Sequence, residues 1–236
     1  MLTSTRDRLT TERTAQVNAL TGLLRTHGFG LDACGPLTAA QIRTVKSWCT
    51  RTEPLDQHVA RAEAVRLAAR VTDLDEQLKD NERTLRDLVT QHAPDLLAEP
   101  GIGPYCAAVI LTAWAYPGRV RSEAAFARLA GTAPIPASSG NHAERHRLDR
   151  GGDRRLNKAL HIAALVRMLI HDETRSYVRK RTTEGRTHRE IRRQIKRYLT
   201  RRIHRLLTRK TPSPSQLDRH RSASKTSSNE PFNSPS

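Results

Sequence analysis

A heptad repeat of small and aliphatic residues runs through residues 55–91 and limits this segment to one kind of structure. Apolar residues recur at alternating steps of four and three, and Asn81 alone interrupts the series. The series comprises Ala60, Ala64, Leu67, Val71, Leu74, Leu78, Leu85 and Leu88. This spacing keeps all of them on one face of a helix, whereas a strand would divide them between two faces. We therefore predict one long helix with an apolar seam.

The seam has two alternative partners. In the first alternative, the helix forms a coiled coil that pairs two chains or spans between domains, with Asn81 fixing the register. In the second, the long helix packs within its own chain. Only the last three heptads carry strong apolar residues, which is close to the minimum length for this pattern. The favoured prediction is a homo-oligomer formed through residues 55–91.

The composition favours helices for the rest of the chain as well. Hydrophobic residues make up 36% of the 236 residues and aromatic residues only 4%. A core must therefore be built from Leu, Ala, Val and Ile, which suits helices better than a sandwich. Further helices are predicted over residues 3–25, 38–49, 122–130 and 153–171. A last helix is predicted to begin at the capping box of Thr187 and Glu190 and to carry an apolar face opposite a face of arginines.

These elements divide the chain into three parts. Residues 1–92 are predicted to form a helical linker with the coiled-coil segment, and residues 93–210 a small helical domain. Serine and proline dominate from Thr211 onwards and apolar residues are few, so residues 211–236 are predicted to be a disordered tail. The predicted fold class is mainly α.

The two halves of the chain differ sharply in charge. Residues 1–118 contain 13 basic and 14 acidic side chains, whereas residues 119–210 contain 25 and 8, a difference of +17. A positive field of this size indicates a polyanionic partner for the second half. No apolar run approaches the roughly 18 residues of a membrane-spanning helix. A nucleic acid is therefore the expected partner, the alternative being a merely solvated basic surface; no membrane is expected, and the expected location is the cytoplasm, in association with the nucleoid.

The cysteines and histidines give no sign of a metal site or a disulfide framework. Cys34, Cys49 and Cys106 stand far apart and form no Cys-x-x-Cys pair, which is typical of reduced thiols in a cytosolic protein. His142 and His146 are four residues apart, but no cysteine or second histidine pair accompanies them. No metal is predicted in this chain.

The stretch "LLAEPGIGPYCAAVIL" has the pattern of a helix-hairpin-helix. A short first helix would end before the turn Gly101-Ile102-Gly103, and Pro104 would occupy the first position of the second helix. Glycines allow the backbone to approach a phosphate closely, and the second helix points its unpaired amides at it. Gly101 and Gly103 are therefore predicted to contact a nucleic-acid backbone; the alternative is a tight turn between two packed helices.

The loop around "IPASSGNHAERHRLDRGGDRR" holds two adjacent serines. Serine and glycine beside proline are ordinary turn residues. A cluster of cations follows, however, and clustered arginines can neutralise a phosphate and stabilise the charge that develops when a hydroxyl attacks it. The predicted DNA-binding side chains in and after this loop are Arg145, Arg147, Arg150, Arg154, Arg155 and Lys158.

Three consecutive blocks resemble one known family. "LLAEPGIGPYCAAVILTAWA", "FARLAGTAPIPASSG" and "RHRLDRGGDRRLNKAL" are similar to the carboxy-terminal domain of insertion-sequence transposases that carry a RuvC-like DEDD amino-terminal domain, the group described as bridge-RNA-guided recombinases. The resemblance covers about residues 90–210, and more loosely residues 3–90, which resemble the helical linker and coiled coil between the family's two domains. It implies DNA transposition as the activity, with structured guide RNA as a second candidate partner.

The resemblance also assigns individual residues. The family's Ser-Gly pair falls on Ser139 and Gly140, which makes Ser139 the candidate for the serine that becomes covalently linked to DNA and Ser138 the alternative one position earlier. Asn157 stands where the family usually has an arginine, and Gly151 doubles a glycine that is usually single. The family's basic block matches Arg147, Arg150, Gly152, Arg154, Arg155 and Leu156.

The family's acidic domain has no counterpart in this sequence. In the family, four acidic residues of the RuvC-like domain hold magnesium and act together with the serine. Asp7 and Glu12 lie in an arginine-rich helical linker and do not match that motif. The resemblance therefore implies a truncated transposase that is inactive alone and uses magnesium only when the acidic domain is supplied.

Overall fold

The computed structural model describes residues 1–49, 51–116, 118–136, 146–148 and 151–209. Within these residues the protein is mainly α-helical, which confirms the predicted fold class. The chain forms two compact units, Met1–Gln91 and His92–Ser236. The predicted disordered tail, residues 211–236, lies outside the described residues.

The first unit contains three helices, α1 (Leu2–His27), α2 (Ala39–Lys46) and α3 (Leu55–His92). Helix α1 ends at Gly28, whose φ of 59° is in the left-handed region that favours glycine. Helix α2 begins after the predicted cap Thr38, which forms a reciprocal capping box with Gln41. Local signals in the sequence therefore fix both ends of the connection between α1 and α2.

The apolar seam of α3 is covered by α1 of the same unit. Asn81 Nδ2 donates to the Leu2 carbonyl at 3.2 Å, and Arg13 pairs with Asp75 one and a half turns nearer the start of α3. A residue further along α1 thus contacts a residue nearer the start of α3, so the two helices are antiparallel. The buried seam positions are Ala60, Ala64, Leu67, Val71, Leu74, Asn81 and Leu85.

This packing is the second alternative given for the seam. Leu88 is the seam position that stays clearly exposed, at 41%. A coiled coil between two chains is therefore not needed to cover the seam, and association through residues 55–91 stays a prediction. Leu55 and Val59, which are 78% and 57% exposed, lie on α3 outside the seam and are apolar side chains that remain available for it.

The second unit contains six helices and a two-stranded hairpin within its described residues. The helices are α4 (Pro94–Ala98), α5 (Pro104–Trp114), α6 (Glu123–Leu129), α7 (Arg154–Ile170), α8 (Asp172–Thr183) and α9 (His188–Arg209), and the strands are β1 (Pro134–Pro136) and β2 (His146–Leu148). Helices α5, α6, α7 and α9 enclose the core. Its fully buried large side chains include Ile110, Phe126, Leu156, Leu160, Ile191, Leu199 and Ile203.

Several predicted signals of this unit are confirmed. Pro104 is the first residue of α5, and Thr187 and Glu190 form the predicted capping box at the start of α9. Asp153, where the sequence predicted the next helix to begin, is the cap of α7. The hairpin and α8 were not predicted. The strands are three residues long, too short for an alternating pattern, and α8 buries only Thr174, so it has no apolar stripe to detect.

Candidate functional site

The β1–β2 hairpin holds both ends of the serine-containing segment. The strands are antiparallel and pair Pro134 with Leu148, Ile135 with Arg147 and Pro136 with His146. Residues 137–145 connect them and lie outside the described residues, as do residues 149–150. The predicted nucleophile Ser139, its alternative Ser138, and the predicted contacts Arg145 and Arg150 therefore fall outside the described part of the chain. Arg147 is a residue of β2.

The entry to the hairpin is tied to α7 and α9. Asn157, in the first turn of α7, donates from Nδ2 to the carbonyls of Ala130 at 2.7 Å and Gly131 at 3.2 Å. Lys196 of α9 donates from Nζ to Asn157 Oδ1 at 2.7 Å. These bonds hold the backbone that leads into β1 against two helices of the core.

The exit from the hairpin is fixed at the same place. Gly152 has a φ of 93°, and a Cβ added there would lie 2.5 Å from the carbonyl oxygen of Leu129. The next amide, that of Asp153, donates to the same oxygen at 2.7 Å. Only glycine fits such an approach at positive φ. The backbone before β1, at Ala130 and Gly131, and the backbone at Gly152 and Asp153 therefore meet at the end of α6.

The predicted basic residues of α7 lie directly after this fixed point. Arg154, Arg155 and Lys158 are exposed on the first turns of α7. The amino-terminal end of a helix carries a positive partial charge, so arginines there add to the local field instead of offsetting it. Arginines at this end lower the stability of the helix itself but favour the binding of an anion. It concentrates positive potential beside the base of the hairpin.

A buried cation lies beneath the same region. Lys196 is only 7% exposed, and burial, followed by the charge of Arg192, lowers the pKa of its ammonium group. His161 of α7 also has a lowered pKa, because of burial first and then the charges of Lys196 and Arg192. The sequence pattern placed Lys196 among the arginines of the last helix but gave no sign that it is buried or that it contacts Asn157.

Helix α9 carries a second basic surface. Its buried row consists of Ile191, Ile195, Leu199, Ile203 and Leu207. A second row at the same spacing of four is offset from it by two residues, which is about 200° around a helix with 3.6 residues per turn. That row is exposed or half-exposed and consists entirely of arginine, namely Arg189, Arg193, Arg197, Arg201, Arg205 and Arg209. We call it the α9 arginine row.

The α9 arginine row extends over most of the helix. Twenty residues separate its first and last members, which corresponds to about 30 Å at 1.5 Å per residue. Arg201 is paired with Glu123, at 3.0 Å between Nε and Oε1. An arginine face was predicted for this helix, without the individual arginines that form it. The spacing of four, opposite the isoleucine and leucine row, would have identified them.

The turn between α4 and α5 has the predicted sequence of elements, with its two glycines in different surroundings. Gly101 has a φ of 89°, and a Cβ there would lie 2.4 Å from the Ala163 carbonyl of α7. Gly103 is exposed at the start of α5, and a Cβ there would meet nothing within 4 Å. Gly101 therefore has a packing reason to be glycine, whereas Gly103 is accessible to a ligand. Contact of either glycine with a phosphate stays a prediction.

An ion-pair network holds this turn to the core. Glu99 is 6% exposed and accepts from Arg167 Nη1 at 3.3 Å and from Arg202 Nε at 2.5 Å. Arg167 is also buried, and it donates further to the Thr174 hydroxyl at 3.1 Å. One buried carboxylate thereby balances part of the charge of both arginines, and Arg167, which is itself buried, is a structural cation, whereas Arg202 stays half exposed.

Two further features concern membrane and metal sites within the described residues. No helix within them is long and apolar enough to cross a membrane. They also contain no group of three or more His, Cys, Asp or Glu side chains arranged to hold a metal ion.

Comparison with known proteins matches the second unit to one family. Residues 94–179, which contain the α4–α5 turn, the hairpin and the start of α7, match the family described as "Transposase IS116/IS110/IS902 family". Residues 94–179 of this chain are therefore similar to insertion-sequence transposases of this family. The resemblance to insertion-sequence transposases that the three sequence blocks suggested is thus confirmed.

Proteins of insertion elements are similar to this chain. The insertion element IS900 uncharacterized 42 kDa protein of Mycobacterium paratuberculosis is 32% identical over 137 residues, which cover 56% of this chain and 34% of that protein. The insertion element IS110 uncharacterized 43.6 kDa protein of Streptomyces coelicolor is 32% identical over 124 residues, 52% of this chain and 31% of that protein. The chain spans about one third of the length of these relatives.

Proposed function

We propose that this chain is the carboxy-terminal DNA-binding and serine-bearing part of a DNA transposase. In this proposal the arginines of α7 and α9 hold double-stranded DNA, and Ser139 is the nucleophile, with Ser138 as the alternative. Support comes from the family match, which covers the whole serine segment and its flanking strands. Family members of this type recombine DNA, and the +17 charge of residues 119–210 suits a polyanion.

One observation carries the proposal: both ends of the hairpin are fixed at the end of α6, beside the arginine-bearing start of α7. Gly152 and Asp153 hold the exit, and Asn157 holds the entry. A reactive loop needs rigid supports if its hydroxyl is to meet a phosphate at a defined distance. The exposed Arg154 and Arg155 begin two residues after Gly152 and can neutralise that phosphate.

The proposed reaction is a phosphoryl transfer. The Ser139 Oγ attacks a DNA phosphorus atom, its proton passes to a base, and the bond between phosphorus and the leaving sugar oxygen breaks. The phosphodiester is conserved as a phosphoserine link, so a second strand can later displace the serine. In the family that the chain resembles, the serine acts together with an acidic magnesium-binding domain. We therefore propose that the chain alone binds DNA without cutting it.

A titration with salt tests the binding part of the proposal. Each phosphate contact releases condensed counterions, and each adds about −0.9 to the slope of log K against log salt on B-DNA. The variant Arg193→Gln, Arg197→Gln, Arg205→Gln should weaken duplex binding and make the slope shallower. The matched control replaces three exposed arginines of α3, Arg66, Arg83 and Arg86, and should change neither. Equal effects of the two triple variants would contradict the proposed surface.

A covalent-adduct assay tests the serine. With an acidic family domain supplied as a separate polypeptide together with magnesium, the wild type should form a protein–DNA adduct that survives denaturation. Ser139→Ala should abolish this adduct while leaving duplex affinity within a few fold, because one hydroxyl adds little to a contact made by many arginines. Ser138→Ala is the matched control. If Ser138→Ala abolishes the adduct and Ser139→Ala does not, the nucleophile is Ser138.

A second candidate function is a binding module without chemistry. It is favoured by the exposed Gly103 at the start of α5, which would let a helix-hairpin-helix contact a phosphate backbone without reading bases. Absence of any adduct in the complemented assay would select it. Competition between duplex DNA and a structured RNA distinguishes the two proposed nucleic-acid partners.

Association of chains through residues 55–91 is proposed to use Leu55, Val59 and Leu88, which are exposed.

A further inference from the structure

We propose that a cavity of about 310 Å³ between α7, α8 and α9 binds one nucleobase that is turned out of the nucleic acid held by the basic helices. The inference rests on the proposed function, because those helices must hold a nucleic acid before a base can enter. The cavity has the volume of a small ligand site, at the lower end of the roughly 300–1,000 Å³ seen for such pockets. It lies on the side of α7 where α8 packs.

Two tyrosines line the cavity from different helices. The whole chain contains four tyrosines. Tyr177 of α8 and Tyr198 of α9 both line this cavity and are 37% and 50% exposed. Aromatic faces that remain partly exposed in the most basic part of a chain are typical of single-strand binding sites, where bases stack on them regardless of sequence.

Both rings are held in place by polar contacts. The Tyr177 hydroxyl donates to Gln194 Oε1 at 2.6 Å, and Arg181 Nε donates to that hydroxyl at 3.2 Å. The guanidinium of Arg167 lies 5.4 Å from the centroid of the Tyr198 ring. These contacts restrict the motion of both rings in the absence of a ligand, so less conformational entropy is lost when a base stacks on them.

The charges around the cavity favour a base over a phosphate. The cavity is lined by His171 and by Arg167, whose charge is already engaged by the buried Glu99 and by the Pro100 carbonyl. Glu173 lines the cavity as well, with a side chain that is 92% exposed and that repels a phosphate. An uncharged planar group is therefore the better occupant. The Gln194 side-chain amide, which also lines the cavity, supplies a polar group for the edge of a base.

Cations outside the cavity can hold the phosphates on either side of such a base. Arg197, a half-exposed member of the α9 arginine row, directly precedes Tyr198 in sequence. Arg181 lies over the Tyr177 ring, 5.6 Å from its centroid, and is also paired with Glu184. A neutral aromatic cavity between two cationic rims matches a nucleotide whose base is turned inward and whose backbone stays outside.

Matched oligonucleotides test the cavity on the full chain. The probes are a run of twelve deoxythymidines and a run of twelve abasic deoxyribose sites, which carry the same phosphates and differ in their bases. The wild type should bind the first more tightly, by about five- to a hundredfold if one base stacks. Tyr198→Leu should lose this preference, and Tyr198→Phe should keep it. Arg197→Gln should weaken both probes by a similar factor.

Further arms keep the outcomes distinct. Tyr177→Leu, on the other wall, should also lose the preference, and it serves if Tyr198→Leu fails to fold. A run of twelve uridines shows whether the base comes from DNA or RNA, by which probe is preferred. Equal binding of the thymidine and abasic probes by the wild type overturns the cavity while leaving salt-dependent duplex binding, and so the proposed function, intact. Binding of no nucleic acid at all overturns both.

A cross-linking experiment locates the base directly. A halogenated uracil placed within the oligonucleotide should, on irradiation, form a covalent link to a peptide containing Tyr177 or Tyr198. Tyr198→Phe should retain the link because the ring is present, and Tyr198→Leu should reduce it severalfold. Links confined to peptides outside α8 and α9 contradict the proposal.

Discussion

Lys196 on α9 donates a hydrogen bond of 2.7 Å to Asn157 on α7, although the two residues are 39 positions apart in the sequence. Through its amide nitrogen, Asn157 also holds the carbonyls of Ala130 and Gly131, which lead into the hairpin. One amide group thus connects the long basic helix to the backbone that carries the serine segment. Asn157 is accordingly a structural link in this chain.

Replacing Asn157 should therefore cost more than replacing Lys196. Asn157→Ala leaves the Lys196 ammonium and two carbonyls without their partner, which should lower the free energy of unfolding by about 2–3 kcal/mol. Lys196→Met removes a buried charge and fills its space, so it should change stability by less than about 1 kcal/mol. Urea denaturation followed by circular dichroism measures both. Equal losses for the two variants would show that Asn157 does not carry the connection.

Glu99 should be the most sensitive carboxylate of the second unit. It lies buried between Arg167 and Arg202, and Glu99→Gln would leave Arg167 buried with its countercharge removed. The expected loss is about 3–5 kcal/mol, typical of breaking one partner of a buried pair. Glu123→Gln is the matched control, because Glu123 pairs with Arg201 of the same helix near the surface and should cost less than about 1 kcal/mol. Thermal unfolding of both variants that fails to separate them would contradict this difference.

The two glycines of the α4–α5 turn should respond in opposite ways. Gly101→Ala places a Cβ 2.4 Å from the Ala163 carbonyl at a φ of 89°, so it should destabilise the fold by several kcal/mol. Gly103→Ser meets nothing within 4 Å and puts a favourable cap at the start of α5, so stability should be unchanged or slightly raised. Chemical denaturation measures these effects. A change in DNA affinity for folded Gly103→Ser would in addition support phosphate contact at this residue.

The seam of α3 should behave as an internal core. Leu74 is fully buried, so Leu74→Glu should unfold the first unit instead of separating two intact chains. Leu88→Glu, at a position that is 41% exposed, should leave the fold intact. Circular dichroism reports the fold and light scattering the mass. If folded Leu88→Glu has half the mass of the wild type, residues 55–91 do associate, through their exposed side.

Helices were predictable in this chain because their signals are local. The periodic apolar faces of α3, α7 and α9 lie within single segments, and the caps at Thr38 and Thr187 each involve a residue only three positions away. The contacts that stabilise these helices and caps are with neighbours along the chain, so they can be predicted from the sequence alone. The family blocks were readable for the same reason, since each is a continuous stretch.

The remaining features depend on partners that are distant in sequence. The seam pattern was compatible with any apolar surface, and only the packing of α1 against α3 decided which one covers it. The link between Asn157 and Lys196 and the pairing of Glu99 with Arg202 join residues that no spacing rule connects. The base-sized cavity likewise exists only because α8, a helix with almost no apolar stripe, places Tyr177 near Tyr198.

The stability of the second unit should fall as the pH is lowered through the range where histidine titrates. Burial lowers the pKa of both His161 and His204 in the folded protein, with Lys196 and Arg192 adding to the effect at His161 and Glu123 opposing it at His204. Above the unfolded value of about 6.5 both states are neutral and the histidines cost nothing. Below it the unfolded chain takes up protons before the folded protein does, so the free energy of unfolding decreases.

Urea denaturation at pH values of about 7.5 and 5.5 should show this decrease, and His161→Gln and His204→Gln should each reduce it. His188→Gln, at the exposed start of α9, is the control and should leave the decrease unchanged. If all three variants lose stability with pH as steeply as the wild type, carboxylates and not these two histidines determine the acid sensitivity.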